Sequence, residues 1–167
     1  VDLQGNSPLH LAIEGGHIEV ARLLIEHGAD VNAPDRSEQT PLDWSCFLNR
    51  TALLALLLEN GAKPDNKDVR GAQAIHWAAD KGHLECLTSL LDAGADPNAA
   101  EDDGMTPLLW ASEFGHEAVV ELLLARGADA NTTAKEGMAP LHLASEYGHT
   151  KVVALLLDAG AEINASE

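Results

Sequence analysis

The chain has 167 residues, which fits one domain, and 46% of them are hydrophobic, so a sizeable core is available. Acidic residues outnumber basic ones by 27 to 10, which gives a net charge of -17. A surface this negative repels phosphate backbones and anionic membranes, so nucleic acid is not the expected partner and a basic protein surface is.

Membrane insertion and secretion are not expected either. The longest apolar run, residues 52–58, is too short to span a bilayer. Cys46 and Cys86 match no metal or redox spacing, and two free thiols suit a reducing compartment. No secretory leader pattern opens the sequence. We therefore expect an intracellular protein, in the cytoplasm or the nucleus.

A motif of the type Thr-Pro-Leu-His recurs every 33 residues, beginning at Ser7, Thr40, Gln73, Thr106 and Ala139. Two further markers keep the same step. One is a Gly-His pair that first occurs at Gly16, and the other is a Gly-Ala-Asp-x-Asn stretch that first occurs at Gly28. This self-similarity divides the chain into five copies, approximately residues 2–34, 35–67, 68–100, 101–133 and 134–166.

Each copy is predicted to contain a helix, a tight turn, a second helix and a long turn. The Ser or Thr before Pro caps the first helix, and the Gly of Gly-His ends it in the left-handed conformation. In copy two, Asn49 takes that place, and Asn tolerates this conformation best after Gly. The second helix is apolar on most faces, so it must be buried against its neighbours. Stacked copies can provide that burial, which predicts an all-α solenoid.

Some copies depart from the motif. Gln73 and Ala139 cannot cap as Ser and Thr do, so copies three and five are expected to be weaker there, by about 1 kcal/mol. In copy two, Asp43 replaces the motif His. The first and last copies lack polar outer faces, from which we expect that further repeats or another domain adjoin them.

These motifs resemble the ankyrin repeat, whose signature is a Thr-Pro-Leu-His opening, a Gly-His turn and a Gly-Ala-Asp-x-Asn ending with a period of 33. The resemblance extends from residue 2 to about residue 165. It implies a curved, right-handed stack whose inner helices and hairpin turns line a concave groove for protein partners.

Helical geometry predicts which side chains face that groove. If the opening Ser or Thr is position zero, positions two, five and six lie on the packed side, and positions four, seven and eight lie opposite. The expected strip comprises Trp44, Trp77 and Trp110 at position four, Phe47 at position seven, and Leu48, Lys81, Phe114 and Tyr147 at position eight. The tryptophans are either binding anchors or ordinary packing. For Phe47, Leu48, Phe114 and Tyr147, partner binding is the favoured interpretation.

The turns are expected to supply the other wall of the groove. Further partner-binding candidates are Arg36, Arg70, Asp102, Asp103, Met105 and Met138 in the turns, with Glu113 on the first helix of copy four. Copy two is nearly neutral, whereas copy four is strongly acidic. This asymmetry favours a partner with a basic segment over copy four. Alternatively, the acidic residues only keep the solenoid in solution.

No arrangement in the sequence points to catalysis. Seven of the eight histidines recur at motif positions, so they are expected to serve the repeat rather than a metal or a reaction. No catalytic triad, phosphate loop or cofactor motif stands out. The sequence favours a monomeric protein-interaction module. Alternatives are a targeting or regulatory domain of a larger enzyme or channel, and a structural unit that stacks into arrays.

Overall fold

The computed structural model describes residues 1–3 and 5–163, and all regular structure in these residues is helical. A 3-10 turn at Lys135–Gly137 lies before the ninth α-helix. The α-helices of the described part are α1 (Pro8–Glu14), α2 (Ile18–Glu26), α3 (Pro41–Phe47), α4 (Thr51–Glu59), α5 (Ala74–Asp80), α6 (Leu84–Asp92), α7 (Pro107–Glu113), α8 (Glu117–Ala125), α9 (Pro140–Glu146) and α10 (Thr150–Asp158).

The helices form a two-layer stack. Each odd-numbered helix packs against the even-numbered helix that follows it and against the next odd-numbered helix. The even-numbered helices contact one another in the same order. The core between the layers is built mainly from Leu, Ile, Val and Ala. The prediction of an all-α solenoid is confirmed, whereas the predicted end of copy five lies outside the described residues.

Three first helices begin as predicted. Three hydroxyl oxygens, those of Ser7, Thr40 and Thr106, each accept a hydrogen bond at 3.4 Å from the backbone N–H of the third residue of the helix that follows. In α1 and α3 the third residue reciprocates, because a side-chain atom of His10 or Asp43 accepts the N–H of the capping residue. These interactions satisfy amide groups that a helix start otherwise leaves free.

Copies three and five keep half of this arrangement. The Nδ1 atom of His76 accepts the backbone N–H of Gln73 at 3.0 Å, and Nδ1 of His142 accepts that of Ala139 at 3.1 Å. The motif histidine therefore keeps the bond that His10 makes in copy one, whereas the bond accepted by a Ser or Thr hydroxyl has no counterpart in these two copies. The lower stability of these two helix starts stays a prediction.

The left-handed turn after each first helix is confirmed. The glycines have φ angles between 69° and 74° at Gly16, Gly82, Gly115 and Gly148. Asn49 occupies the same place in copy two with a φ of 53°. Its side-chain oxygen also accepts the Cys86 thiol at 3.5 Å.

Replacing Asn49 with Ala should lower the free energy of unfolding by about 1 kcal/mol, because Ala has no side-chain amide that eases the left-handed conformation. Asn49→Gly is the matched control and should cost less, since Gly adopts this backbone freely. Urea denaturation followed by circular dichroism measures both. Equal losses for the two variants would show that the side chain matters and the backbone angle does not.

Burial of the second helices depends on their place in the stack. In α4 the residues Leu53, Leu54, Leu56 and Leu57 are all buried, as predicted. In α2 only Ala21 is fully buried, and Val20 and Leu23 are 50% and 56% exposed. The expectation of burial on most faces is therefore wrong for α2. The reason is that α2 has a stacking neighbour, α4, on one side only.

Side-chain amides connect neighbouring copies at the long turns. Each of three asparagines donates to a glycine carbonyl in the next copy at 3.0–3.3 Å, in the pairs Asn32–Gly61, Asn98–Gly127 and Asn131–Gly160. Their side-chain oxygens also accept a backbone N–H from the next copy, from Lys63, Asp129 and Glu162. Copy two has Asp65 at this place. A carboxylate cannot donate a hydrogen bond, so this pair of bonds is absent between copies two and three and present again in the later copies.

The two cysteines are neighbours in the core, although the sequence places them forty residues apart. Both are free and buried, Cys46 on α3 and Cys86 on α6. Burial raises the pKa of the Cys46 thiol, and its hydrogen bond with Cys86 adds to the shift. They join the first helix of copy two to the second helix of copy three.

Candidate functional site

The odd-numbered helices present a surface that we call the odd-helix face, formed by positions four, seven and eight of each copy. The predicted packed side is buried, as Leu9, Ala12 and Ile13 show in α1. On the other side of α1, Leu11 and Glu14 are exposed. Phe47, Phe114 and Tyr147 are 44%, 46% and 54% exposed, and Lys81 is exposed as well, whereas Leu48 is half-buried. The side chains of the predicted strip therefore reach the surface.

The three tryptophans of position four are half-buried and pack against the core. The indole N–H of Trp44 donates to the Asp35 carboxylate at 3.1 Å, and that of Trp110 donates to the Glu101 carboxylate at 2.7 Å. These indoles also line cavities on the odd-helix face. Packing, one of the two alternatives for the tryptophans, is therefore present, and their role as binding anchors stays a prediction.

Trp77 differs from the other two. Its indole N–H is buried and has no hydrogen-bond partner among the described residues. The corresponding carboxylate, Asp68, accepts the backbone N–H groups of Arg70 and Ala72 through Oδ1, as Asp35 accepts two backbone N–H groups in copy two. Its Oδ2 atom lies 4.0 Å from the Arg70 guanidinium instead of accepting an indole N–H. That guanidinium lies over the Trp77 ring, 5.0 Å from its centroid. A cation–π contact thus stands where the other copies have a hydrogen bond.

Replacing each tryptophan with Phe separates these roles, because the lost volume is the same in all three variants. Trp44→Phe and Trp110→Phe should each lower the free energy of unfolding by roughly 1–2 kcal/mol more than Trp77→Phe. Only these two variants remove an indole N–H that a carboxylate oxygen accepts. Chemical denaturation of the three variants measures the difference. An equal loss in all three would mean that the indole hydrogen bonds contribute nothing.

A cavity of about 290 Å³ opens on the odd-helix face of copies one to three. Its walls are mainly aromatic and aliphatic, and its lining residues are Glu14, Gln39, Asp43, Trp44, Phe47, Leu48 and Trp77. The edge of Phe47 meets the ring of Trp77, with centroids 5.5 Å apart and planes at 88°. The ammonium of Lys81 lies 5.1 Å from the Phe47 centroid and 2.9 Å from the Asp80 carboxylate. This cavity can hold an apolar group.

Asp43 is a buried carboxyl in the wall of this cavity. Its Oδ2 atom accepts the backbone N–H and the hydroxyl of Thr40, both at 2.7 Å. Burial raises the pKa of Asp43 to about 7, against the lowering effect of the Thr40 hydrogen bonds. The sequence shows that Asp43 replaces the motif His. It does not show the burial that raises the pKa of this carboxyl toward neutral pH.

Asp43 should make stability depend on pH. Its folded pKa of about 7 exceeds its ordinary value of 3.8, so the stabilising contribution is complete below about pH 4 and disappears as the pH rises through about 7. Asp43→Asn cannot titrate and should remove this contribution. From pH 4 to pH 8 the wild type should lose up to about 4 kcal/mol relative to the variant. Urea midpoints at several pH values measure it, and parallel curves would contradict the assignment.

A second, more open cleft lies between copies four and five. Its volume is about 350 Å³, and its lining residues are Glu113, Phe114, Tyr147 and His149. Phe114 stacks on Trp110, with centroids 6.0 Å apart and planes at 4°. Tyr147 stacks on His149 at 6.4 Å. The aromatic rings of these two copies are therefore held in place by neighbouring rings of the same chain.

Position seven carries a carboxylate in four copies, at Glu14, Asp80, Glu113 and Glu146. Burial raises the pKa of Glu113, and the nearby charges of Asp80 and Glu146 raise it further. Only Glu113 of these four was singled out from the sequence. The signal for Glu14, Asp80 and Glu146 is the recurrence of a carboxylate at position seven of the repeat.

The predicted turn residues lie at the tips between copies. Arg36, Arg70, Asp102 and Asp103 are exposed, and Met105 and Met138 are half-buried. Consecutive tips are joined by backbone hydrogen bonds, including Asp102 N–H to the Arg70 carbonyl at 3.0 Å. Arg70 is the turn residue that the structure brings onto an aromatic ring of the odd-helix face.

Four of the motif histidines bond to the backbone of the stack, in line with the expectation that they serve the repeat. The Nε2 atoms of His10, His116 and His149 donate to carbonyls of a neighbouring copy, those of Gln39, Asp80 and Glu113, at 2.7–3.2 Å. Nε2 of His76 donates to the Ala99 carbonyl at the end of its own copy at 2.9 Å. Burial lowers the pKa of His76 to about 4. Within the described residues, no three His, Cys, Asp or Glu side chains are grouped as a metal site requires.

Comparison with known proteins identifies the repeat. A family model described as ankyrin repeats (3 copies) matches residues 1–68 and 75–167. The chain belongs to the ankyrin-repeat family. The helix pairs, the left-handed turns and the histidine bonds between copies are thus those of an ankyrin-repeat solenoid. Ankyrin repeats are protein-interaction modules and are generally non-catalytic.

Several curated ankyrin-repeat proteins are similar to short parts of this chain. Ankyrin repeat domain-containing protein 13B of Homo sapiens is 52% identical over 42 residues, which are 25% of this chain and 7% of that protein. NF-kappa-B inhibitor cactus of Drosophila melanogaster is 51% identical over 39 residues, 23% of this chain and 8% of that protein. E3 ubiquitin-protein ligase XBAT33 of Arabidopsis thaliana is 51% identical over 41 residues, which are 25% of this chain and 8% of that protein.

The matched segments cover less than a tenth of these three relatives. The similarity therefore supports the repeat and carries no activity, substrate or partner from them. Among the described residues, no helix is both long enough and apolar enough to cross a membrane.

Proposed function

We propose that this ankyrin chain is a non-enzymatic module that binds a partner protein or peptide on its odd-helix face. The observation that supports this most strongly is the exposure of Phe47, Phe114 and Tyr147, aromatic side chains that folding alone does not require at the surface. Aromatic side chains of this kind are enriched where binding energy is concentrated. We propose the turn residues Arg36, Asp102 and Asp103 as polar contacts at the rim.

The partner is proposed to carry a basic segment. The chain has a net charge of -17, and copy four concentrates acidic residues. The carboxylates of Glu113 and Glu146 have no ion pair within the described part of the chain. A positively charged segment would be attracted to this part of the stack and oriented by it.

We also propose that the chain acts as one monomeric domain in the cytoplasm or the nucleus. The two free, buried thiols support a reducing compartment. A second candidate function is a targeting or regulatory domain of a larger enzyme or channel. It is favoured by the relatives, because each matches this chain over only a short segment of a longer protein.

Capture from a cell extract, quantified by mass spectrometry, tests the proposal. The double variant Phe47→Ala/Phe114→Ala removes two exposed aromatic rings from the odd-helix face. Proteins bound through that face should be captured about tenfold less, because aromatic anchors contribute a large share of binding energy. Circular dichroism should show that the variant remains folded.

The control variant is Val20→Ala/Leu23→Ala, which removes similarly exposed apolar side chains from α2. It should capture the same proteins as the wild type. If both double variants lose the same proteins, or neither loses any, partner binding does not take place on the odd-helix face.

A further inference from the structure

The cleft between copies four and five has the chemistry of a receptor for a cation. We define the aromatic notch by its lining residues Glu113, Phe114, Tyr147 and His149. Phe114 and Tyr147 are about half exposed, and Glu113 carries a carboxylate beside them. Glu146 is the exposed residue directly before Tyr147, at the position in copy five that Glu113 has in copy four, and its charge raises the pKa of Glu113. The notch thus combines exposed aromatic rings with two negative charges.

The same combination already holds a cation elsewhere on this surface. In copies two and three, the Lys81 ammonium lies 5.1 Å from the Phe47 centroid and 2.9 Å from the Asp80 carboxylate. Nearby, the Arg70 guanidinium lies 5.0 Å from the Trp77 centroid and 4.0 Å from the Asp68 carboxylate. Both internal cations therefore take a ring and a carboxylate together, as cation–π and ionic attraction favour.

The aromatic notch has the ring and the carboxylate, but no Lys or Arg of the described residues occupies it. Position eight, which is Lys81 in copy three, is Phe114 and Tyr147 in copies four and five. Within the described residues, neither ring has a Lys or Arg over it, and neither Glu113 nor Glu146 forms an ion pair. Lys151, the closest basic residue in the sequence, is paired with Glu117 at 3.0 Å.

We infer that the aromatic notch binds an arginine side chain of the partner protein, an inference that rests on the proposed function. The guanidinium lies against the Tyr147 ring, and its N–H groups donate to the carboxylates of Glu113 and Glu146. The planar guanidinium suits this arrangement better than an ammonium, because it stacks on a ring while its edge donates hydrogen bonds. Charge complementarity is what selects a basic segment over an apolar one.

The single tyrosine of the chain makes a direct test possible, since Tyr147 gives the only ring signal when tyrosine alone is labelled with ¹³C. The probe is N-acetyl-arginine N-methylamide, titrated into the full chain and followed by NMR. We expect a saturable shift of the Tyr147 ring signal. The citrulline analogue, which has the same shape without the charge, should produce a shift at least about tenfold weaker in apparent affinity.

Two variants decide whether the notch or the general acidity of the chain is responsible. Glu113→Gln/Glu146→Gln should weaken arginine binding by about tenfold or more, because it removes both charged acceptors. Glu26→Gln/Glu59→Gln is the matched control, since it also removes two carboxylates but from exposed residues of α2 and α4, away from the odd-helix face. It should leave the titration unchanged. An unchanged backbone amide spectrum in each variant shows that the fold persists.

Three results would overturn the inference. They are the absence of a saturable Tyr147 shift, an equal shift with citrulline, and an equal loss of binding in Glu26→Gln/Glu59→Gln. Each of them is separable from failure of the proposed function. If capture from an extract still depends on Phe47 and Phe114 while the arginine titration fails, the odd-helix face binds partners without an arginine in the notch.

Discussion

The burial of each helix pair by its neighbours is the constraint on which the rest of the structure depends. A pair of seven- and nine-residue helices cannot cover its own apolar side, so Ile13, Ile75 and Leu108 become fully buried only through contacts between copies. The copies at the two ends each have a single neighbour, and α2 accordingly leaves Val20 and Leu23 half exposed. Stability is therefore distributed over the joints between copies.

Because the packing positions are separate from the surface positions, the side chains of the odd-helix face can differ from copy to copy. Positions two, five and six are buried in the stack and position four packs partly against the core, so positions seven and eight can hold aromatic and charged side chains with little effect on the stack. The consequence is a surface with two different halves. In copies two and three the rings of Phe47 and Trp77 are already paired with Lys81 and Arg70. The rings of copies four and five lie beside carboxylates that form no ion pair within the part of the chain that the structure describes.

Much of the fold could be predicted because the signals are local. A Ser or Thr before Pro caps a helix, and a residue after the helix that needs a positive φ is Gly or, at Asn49, its best substitute. The site was less predictable because its interactions join distant residues. Nothing in the spacing shows that Trp110 donates to Glu101 while Trp77 has no acceptor among the described residues, or that Cys46 contacts Cys86. The proton affinity of Asp43 likewise depends on burial by other copies.

The asparagine bonds run along the axis of the stack, from one copy to the next. Three of the four joints contain this pair of side-chain bonds, and the joint between copies two and three has Asp65 instead. This joint is held by other contacts, among them the edge of Phe47 against Trp77, the Cys86 thiol on Asn49 and the Gln73 side-chain amide on the Asp65 carbonyl at 3.2 Å. In mechanical terms, a load along the stack crosses this joint partly through the wall of the cavity of Trp44, Phe47 and Trp77, because the asparagine pair of the other joints is absent there.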